Sequence, residues 1–386
     1  MNKKHTRSLA WGVAFVGFTT QFGGGFASGA QIYQYFINYG IWTLIMPFLA
    51  QFLMSLFYWY GMRYAYRHKT YDYRSFSDNF YGKFRSVFSN LYEIEYIVMV
   101  CMAPAVAFAT GGSTLHALTG IPYFTCTLII GIFIFLITLF GTDVVRKCSS
   151  ALSILIILGM LAVLIPNIIA QWDTIMDSIH SMSSGTMPVS STESGGFLSA
   201  FWSSCVYGIF QITAIGLMYQ HTQNLKNEKE IGKSMIYMFI VDALIMELAV
   251  VGLLAISYLP ELADFDVPML LLVQSGVGSK LLTPIISVLI ILGSVSTGVN
   301  MIAGIVERSV NHIQKKSTAN RKTYTLIASF VFTLLAFGIA QFGLIPLVRT
   351  GYSYIGYATM IVIIIPFIVH FIAHLSSGKD QSLSDK

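Results

Sequence analysis

The sequence predicts an all-α polytopic membrane protein whose single transmembrane domain occupies residues 1–386. Hydrophobic residues make up 55% of the chain and charged residues only 11%, whereas soluble domains carry roughly 25% charged residues. The mean hydropathy is +0.68. Apolar runs of about 20 residues, which are long enough to cross a bilayer as helices, recur from one end of the chain to the other.

About ten of these apolar runs qualify as transmembrane spans. In chain order, spans 1 to 10 cover residues 9–37, 41–66, 91–116, 121–141, 145–170, 197–220, 233–258, 280–305, 324–342 and 345–374. Except for Lys280 and Arg349, every Lys and Arg lies on one side of this arrangement. The positive-inside rule therefore predicts that both termini, including the tail 375–386, are cytoplasmic. This placement accounts for the net charge of +5 without a nucleic-acid partner.

Connection lengths predict two structural repeats. The connection after span 2, residues 67–90, is matched by one of similar length after span 7, residues 259–279. The two lie five spans apart and on opposite sides of the membrane. Because a unit with an odd number of spans inverts when it repeats, we expect two inverted five-helix halves, about 9–170 and 197–374.

Span 1 contains an unusual stretch, QFGGGFASGAQ, from Gln21 to Gln31. Each glycine costs a helix about 1 kcal/mol relative to alanine, so the run predicts a break. A broken span near the membrane centre exposes a helix start that attracts anions and carbonyls that bind cations. The alternative is close helix packing, because Gly25 and Gly29 also form a GxxxG motif. The predicted substrate contacts in this stretch are Gly23, Gly24, Gly25, Phe26, Ala27, Ser28 and Gly29.

Spans 6 and 8 carry two further polar patches. Span 6, the counterpart of span 1 in the second half, contains SSCVYGIFQIT, residues 203–213, which predicts a second discontinuity with Tyr207 and Phe210 as substrate contacts. In span 8, Ser296 and Thr297 follow Gly293 by three and four residues and share a helical face with its carbonyl. Such oxygens suit a small hard cation, although hydroxyls in membrane helices also bond back to their own backbone.

Ionisable residues inside spans are candidates for function, because burying them costs a few kcal/mol. Asp242 and Glu247 in span 7 are predicted proton carriers; the alternative is a buried acid satisfied by a neighbouring hydroxyl or by Arg349. Arg349 either extends outward to the interface or pairs with Glu247 or Asp266 as an outer gate. Glu95 lies near the start of span 3, where a negative charge favours a helix start, and is assigned a structural role.

The motif GGGFASG, residues 23–29, resembles the GAGFASG-type motif in the first span of the YkvI-like bacterial membrane proteins. That family is similar to the amino acid-polyamine-organocation superfamily. The resemblance implies the LeuT-type inverted-repeat fold in a bacterial plasma (inner) membrane, with a substrate between spans 1, 3, 6 and 8. It also implies a Na⁺ site made by backbone oxygens near Phe22 and Gly25 with Gly293, Ser296 and Thr297. The chain departs from the family at Ala30 and Gln31, where charged residues often follow the motif, and this leaves the coupling ion and the substrate open.

These features favour an ion-coupled secondary transporter that moves a small amino acid, or a related zwitterion or carboxylate, by alternating access. The coupling ion is Na⁺ or H⁺, and no other cofactor is expected. The predicted partners are the lipid bilayer and a small-molecule substrate; a protein partner stays open. The alternative is a membrane-embedded ligand sensor that keeps the transporter fold, as spore germinant receptor subunits do. An enzyme is disfavoured, because HExxH and GxSxG motifs are absent from the sequence.

Overall fold

The computed structural model describes residues 3–140, 142–189, 191, 193, 195–314 and 320–376, so residues 377–386 of the predicted tail lie outside it. Within these residues all regular structure is helical, without a strand. This confirms the all-α fold class.

The helices follow the predicted order of spans. Span 1 consists of three pieces, Lys3–Gln21, Gly24–Ala27 and Ala30–Tyr35. Spans 2 to 5 are Met46–His68, Arg85–Thr119, Tyr123–Phe140 and Thr142–Ala170. Spans 6 to 9 are Phe197–Ile212, Glu228–Leu254, Ser279–Gln314 and Arg321–Ala340. Span 10 covers 344–376 as a succession of α-helical and π-helical pieces.

Helix length and apolarity support a protein that crosses the membrane many times. Among the described residues, 6 helices are long and apolar enough to span a bilayer, or up to 8 if two bent pairs are counted. Those pairs add spans 2 and 5, each joined to a shorter helix at a bend of 80° or 78°. The broken span 1 and the shorter helix Tyr123–Leu139 occupy the first and fourth predicted positions. The ten predicted segments are therefore all helical.

Two short connecting helices occupy corresponding positions in the two predicted halves. Tyr73–Phe80 follows span 2 and Pro268–Ser275 follows span 7, and both have 8 residues. The ring of Phe76 stacks on Tyr219 at the end of span 6, with centroids 4.1 Å apart. In the other half, the Met269 amide donates to the Ser28 carbonyl in span 1 at 2.9 Å. Each connecting helix thus contacts the interrupted span of the other predicted half.

Span 6 is interrupted later than the polar patch at 203–213 indicated. The α-helix continues to Ile212 and then tightens into two 3₁₀ segments, Thr213–Leu217 and Tyr219–Asn224. The first two residues of the patch serve packing. The hydroxyls of Ser203 and Ser204 donate to carbonyls of Tyr35 and Met46 at 2.8 and 2.6 Å.

The outside of the bundle is apolar. Large side chains such as Ile236, Leu244 and Leu334 are more than half exposed. In a soluble protein so much exposed apolar surface would drive association, whereas a bilayer solvates it. Buried polar residues occur in most spans, and three of them, Gln21, Gln31 and Gln211, lie at the interruptions of spans 1 and 6, where the candidate site is found.

Candidate functional site

The predicted break in span 1 is confirmed, and it has two steps. The first helix ends at Gln21, and Gly23 is extended with φ −84° and ψ −169°. The second step is Gly29, with φ +82° in the left-handed region that favours glycine. Among the hydrogen bonds of the described chain, the Phe22 carbonyl accepts none. The break thus leaves free a backbone oxygen of the kind expected at a cation site.

The glycines also let span 1 approach span 8 closely, but through Gly23 and Gly24 and not through the GxxxG pair Gly25 and Gly29. A Cβ on Gly24 would lie 2.1 Å from Ser294 Oγ and 2.8 Å from Ser294 Cα. A Cβ on Gly23 would lie 2.8 Å from Thr297 Oγ1. Real Cβ contacts are not this short, so only glycine fits at position 24 without a backbone shift.

A cavity of ≈ 70 Å³ lies beside the break, between spans 1, 3, 6, 8 and 10. At roughly 15 Å³ for each water, it has room for about five water molecules or a small solute. Its polar lining comes from the side chains of Thr20, Gln21, Gln31, Gln211, Thr297 and Tyr352. Its apolar lining comes from Met99, Ala103, Val106, Ala107, Phe210, Ala214, Met301 and Ile355. No charged side chain is among these described lining residues.

The predicted substrate contacts divide into two groups. Gly23, Gly24, Gly25 and Phe210 line the cavity. The others lie behind its wall: Phe26, Ala27, Ser28, Gly29 and Tyr207. Within this second group, the Ser28 hydroxyl donates to the Gly25 carbonyl at 2.8 Å.

Three glutamines that the sequence analysis left without a role form the polar wall of the cavity. Gln21 and Gln31 bracket the glycine stretch, and Gln211 lies near the end of span 6. The Gln211 amide donates to the Tyr207 hydroxyl at 3.1 Å, and that hydroxyl lies 3.4 Å from Gln31 Oε1. All three glutamine side chains are buried. The position of Gln21 and Gln31 on the two sides of the predicted break was the feature of the sequence that could have indicated their role.

The hydroxyl groups of span 8 that face the break are those of Ser294 and Thr297, and not the predicted pair, Ser296 and Thr297. Thr297 lines the cavity and its hydroxyl donates to the Gly293 carbonyl at 3.0 Å. Ser296 lies off the cavity lining and contacts the Asn300 amide at 3.5 Å. Ser294, three residues before Thr297, lies against Gly24 instead. Among the described residues, no group of three or more His, Cys, Asp or Glu is arranged to hold a metal ion.

Asp242 is completely buried in span 7 and lies one side chain away from the cavity. Gln21 Nε2 donates to Asp242 Oδ2 at 2.8 Å. The other oxygen, Oδ1, has no hydrogen-bond partner among the described residues. Glu247 is half-buried, and its Oε2 also has no partner.

The predicted pairing of Arg349 with Glu247 or Asp266 was wrong. Its guanidinium bonds to Glu193, in the connection before span 6, instead of Glu247 or Asp266. Asp266 accepts a hydrogen bond from the Ser113 hydroxyl at 2.6 Å. The long connection folds over the start of span 10 and brings Glu193 there, which spacing along the chain does not reveal.

The cavity is closed on the side opposite the chain termini. The Tyr35 hydroxyl donates to the Val348 carbonyl at 2.9 Å and so joins span 1 to span 10. The rings of Phe210 and Tyr352 stack with centroids 4.7 Å apart. Together with the helix Pro268–Ser275, which bonds to Ser28, these contacts cover the half of the break that lies away from the termini.

The fold is thus an all-helical bundle in which spans 1 and 6 are interrupted, as predicted. In agreement, the chain is similar in fold to a Na⁺-coupled sialic acid symporter solved in a substrate-bound outward-open state, with a TM-score of 0.50 and 13% identity over 93% of this chain and 85% of that chain. A manganese transporter from Eremococcus coleocola is similar at a TM-score of 0.44 and 14% identity, over 98% of this chain and 88% of that chain. At such identities the likeness concerns the fold alone. No protein-family description and no curated protein matches the sequence, so the YkvI resemblance depends on its motif.

Proposed function

We propose that the protein is an ion-coupled secondary transporter that moves a small amino acid, or a related zwitterion or carboxylate, by alternating access. The observation that supports this most is the meeting of two interrupted spans, one from each half, at a small cavity inside the bundle. Substrate sites of inverted-repeat transporters lie at such repeat interfaces.

The unpaired groups of the cavity favour a zwitterion. The backbone amides of Gly24 and Gly25 begin a helical turn at the cavity, and no hydrogen bond of the described chain uses them. Free amides at a helix start bind carboxylates. Gln21 Oε1 is buried without a partner and lines the same cavity, so it can accept a hydrogen bond from an ammonium group. The apolar wall at Met99, Val106 and Phe210 then contacts a small aliphatic side chain.

Two positions compete for the coupling ion. The free Phe22 carbonyl, with the oxygens of Gly25, Gly293 and Thr297, supports Na⁺ binding at the contact of spans 1 and 8. Asp242 supports H⁺ coupling, because it reaches the cavity through Gln21. Glu247 stays a second proton candidate and Ser296 a second hydroxyl candidate. We further propose that both termini are cytoplasmic and that the membrane is a bacterial plasma membrane, from the Lys and Arg placement and the motif.

The test is thermal unfolding of the purified protein with a panel of amino acids, carboxylates and organic cations, with and without Na⁺ and at two pH values. A ligand at 100 times its Kd stabilises the folded state by about 2.7 kcal/mol. Hits proceed to uptake into proteoliposomes. Ion-dependent uptake of one ligand class supports the proposal. Binding without uptake would indicate the sensor instead, and the absence of any shift would contradict a ligand site in the cavity.

A further inference from the structure

A second buried carboxyl group, Glu95 in span 3, lies outside the cavity lining, one helical turn from the lining residue Met99. The helix of span 3 begins at Arg85 and not near Glu95, so the assignment of Glu95 to a helix start was wrong. Only 4% of Glu95 is exposed. A carboxyl group buried in the middle of a membrane helix requires a physical reason.

Two threonines from other spans meet this carboxyl group. The Thr359 hydroxyl in span 10 bonds to Glu95 Oε1, and it also bonds to the Thr213 hydroxyl in span 6. Both threonines are completely buried. Glu95 Oε2 has no partner among the described residues.

The cluster lies where two helices change geometry. Thr213 is the first residue of the 3₁₀ segment in which span 6 departs from the α-helix. Thr359 is the last residue before the π-helical stretch Met360–Ile364 of span 10. π-Helical turns and 3₁₀ stretches within helices often mark functional hinges. Glu95 therefore bridges three spans at two such irregularities.

The hydrogen bonds of this cluster differ between protonated and ionised Glu95. A threonine hydroxyl donates one hydrogen and accepts two. When Glu95 is protonated, it donates to Thr359, Thr213 also donates to Thr359, and the Thr359 hydrogen goes to the Ile355 carbonyl, which lies 2.9 Å away. Every polar hydrogen is then paired. When Glu95 is ionised, Thr359 donates to Oε1 instead, and Oε2 is a buried charged oxygen without a donor.

No basic group compensates the ionised state. None of the ion pairs within the described residues includes Glu95. The ionisable side chains that act on it are the phenols of Tyr81, next to the helix Tyr73–Phe80, and of Tyr92 in span 3. A phenol is neutral or negative and never positive, so neither side chain supplies an opposite charge. An unpaired buried charge is strongly destabilising.

We propose that Glu95, Thr213 and Thr359, which do not line the cavity, form a proton-binding site that holds the end of span 6 against span 10 when protonated and releases it when ionised. In a transporter, this release would open the cavity toward the side of the chain termini, and that step alone rests on the proposed function. The site itself is a property of the folded protein.

Hydrogen exchange of residues 213–224 tests the proposal in the purified full-length protein without any substrate. The comparison is wild type against Glu95→Gln at two pD values, because the glutamine amide donates to Thr359 as the protonated acid does and does not ionise. We expect equal exchange at low pD. At high pD we expect wild type to exchange on the order of ten-fold faster, the effect of one lost buried hydrogen bond. A wild-type to variant ratio that is independent of pD would overturn the proposal.

The matched control is Glu93→Gln, two residues away in the same helix. Glu93 is paired with Arg308 and is partly exposed, so its neutralisation should keep the pD dependence of wild type. If it abolished that dependence as Glu95→Gln does, a general charge effect would replace the proposed site. Should Glu95→Gln not fold, Thr359→Val removes the hydroxyl and leaves the carboxyl, and it should also abolish the pD dependence; a retained dependence would refute the proposal. Transport assays do not enter this measurement, so its failure and that of the transporter function are distinguishable.

Discussion

Gln21 Nε2 donates to Asp242 Oδ2 at 2.8 Å, and this bond joins the end of the first helix of span 1 to a completely buried acid in span 7. The pair is incompletely satisfied, because Gln21 Oε1 and Asp242 Oδ1 both have no partner among the described residues. An unpaired buried acceptor costs about 1–3 kcal/mol. An ammonium group at Gln21 would pair the free oxygen of that side chain, and a proton would remove the buried charge of Asp242, so the pair links the acid to the cavity.

The first prediction concerns Asp242→Asn. Asparagine keeps the shape and the hydrogen-bonding capacity of the protonated acid but carries no proton to exchange. If Asp242 is the coupling group, the variant should bind the ligand with an affinity that no longer varies with pH. One coupled proton changes the affinity of wild type by up to about ten-fold per pH unit. Ligand-dependent thermal shifts at several pH values measure this change.

Glu247→Gln is the matched control, since Glu247 lies on the same helix but neither lines the cavity nor bonds to Gln21. We expect it to keep the pH profile of wild type. An unaltered profile in Asp242→Asn would leave Asp242 as a structural acid. A flat profile in Glu247→Gln alone would transfer the proton role to that residue.

The second prediction concerns the contact of Gly24 with Ser294. Gly24→Ala places a Cβ 2.8 Å from the Ser294 Cα, so span 1 must move away from span 8. Overpacking of this kind costs typically 1–3 kcal/mol, and it should also abolish ligand binding because Gly24 lines the cavity. Gly12→Ala, in the same span but with nothing within 4 Å of the new Cβ, should leave unfolding and binding unchanged. Equal effects of the two variants would indicate a general helix effect and not this contact.

The third prediction separates two neighbouring hydroxyls in span 8. Thr297→Ala removes an oxygen that lines the cavity beside Gly23, so it should weaken the Na⁺ dependence of ligand binding if Na⁺ is the coupling ion. A lost neutral ligand oxygen should raise the Na⁺ concentration for half-saturation by roughly five- to ten-fold. Ser296→Ala should have little effect, because Ser296 lies off the cavity lining. Na⁺ titrations of ligand binding by both purified variants measure these effects. If Thr297→Ala keeps the Na⁺ dependence of wild type, the Thr297 hydroxyl is not a Na⁺ ligand.

The fourth prediction concerns Asp72, which caps the helix Tyr73–Phe80 that braces span 6. Partial burial acts to raise the pKa of Asp72, but the Ser75 hydroxyl and the amides of Ser75 and Arg74 donate to it and together hold the pKa below its usual value. The folded pKa is thus lower than the unfolded pKa of about 3.9. The stabilisation is complete above pH 3.9 or so and is lost as the pH falls through the folded pKa.

Removal of this cap by Asp72→Ala should cost about 1 kcal/mol at neutral pH. Asp72→Asn should cost only a few tenths, because asparagine caps helices as well as aspartate does. Thermal unfolding at pH 7 and at the lowest pH where the protein is folded measures both. The difference between wild type and Asp72→Ala should shrink at the lower pH. A difference that does not depend on pH would show that the carboxylate charge is not involved.

The fold was predictable because it follows from composition along the chain. Apolar runs define the spans, and the free-energy cost of three glycines in a helix predicts the break at residues 23–25. The cavity was predictable only in part. A membrane helix is apolar toward both lipid and protein, so periodicity does not show which face of span 8 meets span 1. For this reason Ser294 went unnoticed while Ser296 was favoured.

Contacts between distant segments were not predictable for a related reason. The partners of Glu95 are 118 residues away at Thr213 and 264 residues away at Thr359. The long connection that brings Glu193 to Arg349 carries no pattern that specifies its path. One sequence gives the chemical type of each buried polar group, but the group that satisfies it depends on the three-dimensional packing.

The last prediction concerns the pair Glu193 and Arg349, which lies on the side opposite the termini. Their side chains are 28% and 51% exposed, and pairs of this kind contribute about 0–1 kcal/mol. Arg349→Gln should therefore leave global stability nearly unchanged. If the pair biases the protein toward the closed state, its loss should raise the open population by at most about five-fold, the factor that 1 kcal/mol gives.

The rate at which an impermeant maleimide labels a single cysteine at the cavity measures this population. Gln31→Cys, in a background without the native cysteines, places the thiol on the cavity lining. Labelling from the side opposite the termini should be several-fold faster with Arg349→Gln than without it. The exchange Glu193→Arg with Arg349→Glu should restore slow labelling, since it recreates the attraction with reversed charges. Identical labelling rates in all three proteins would mean that the pair is a surface contact, and that the stack of Phe210 on Tyr352 and the bond from Tyr35 to Val348 close the cavity by themselves.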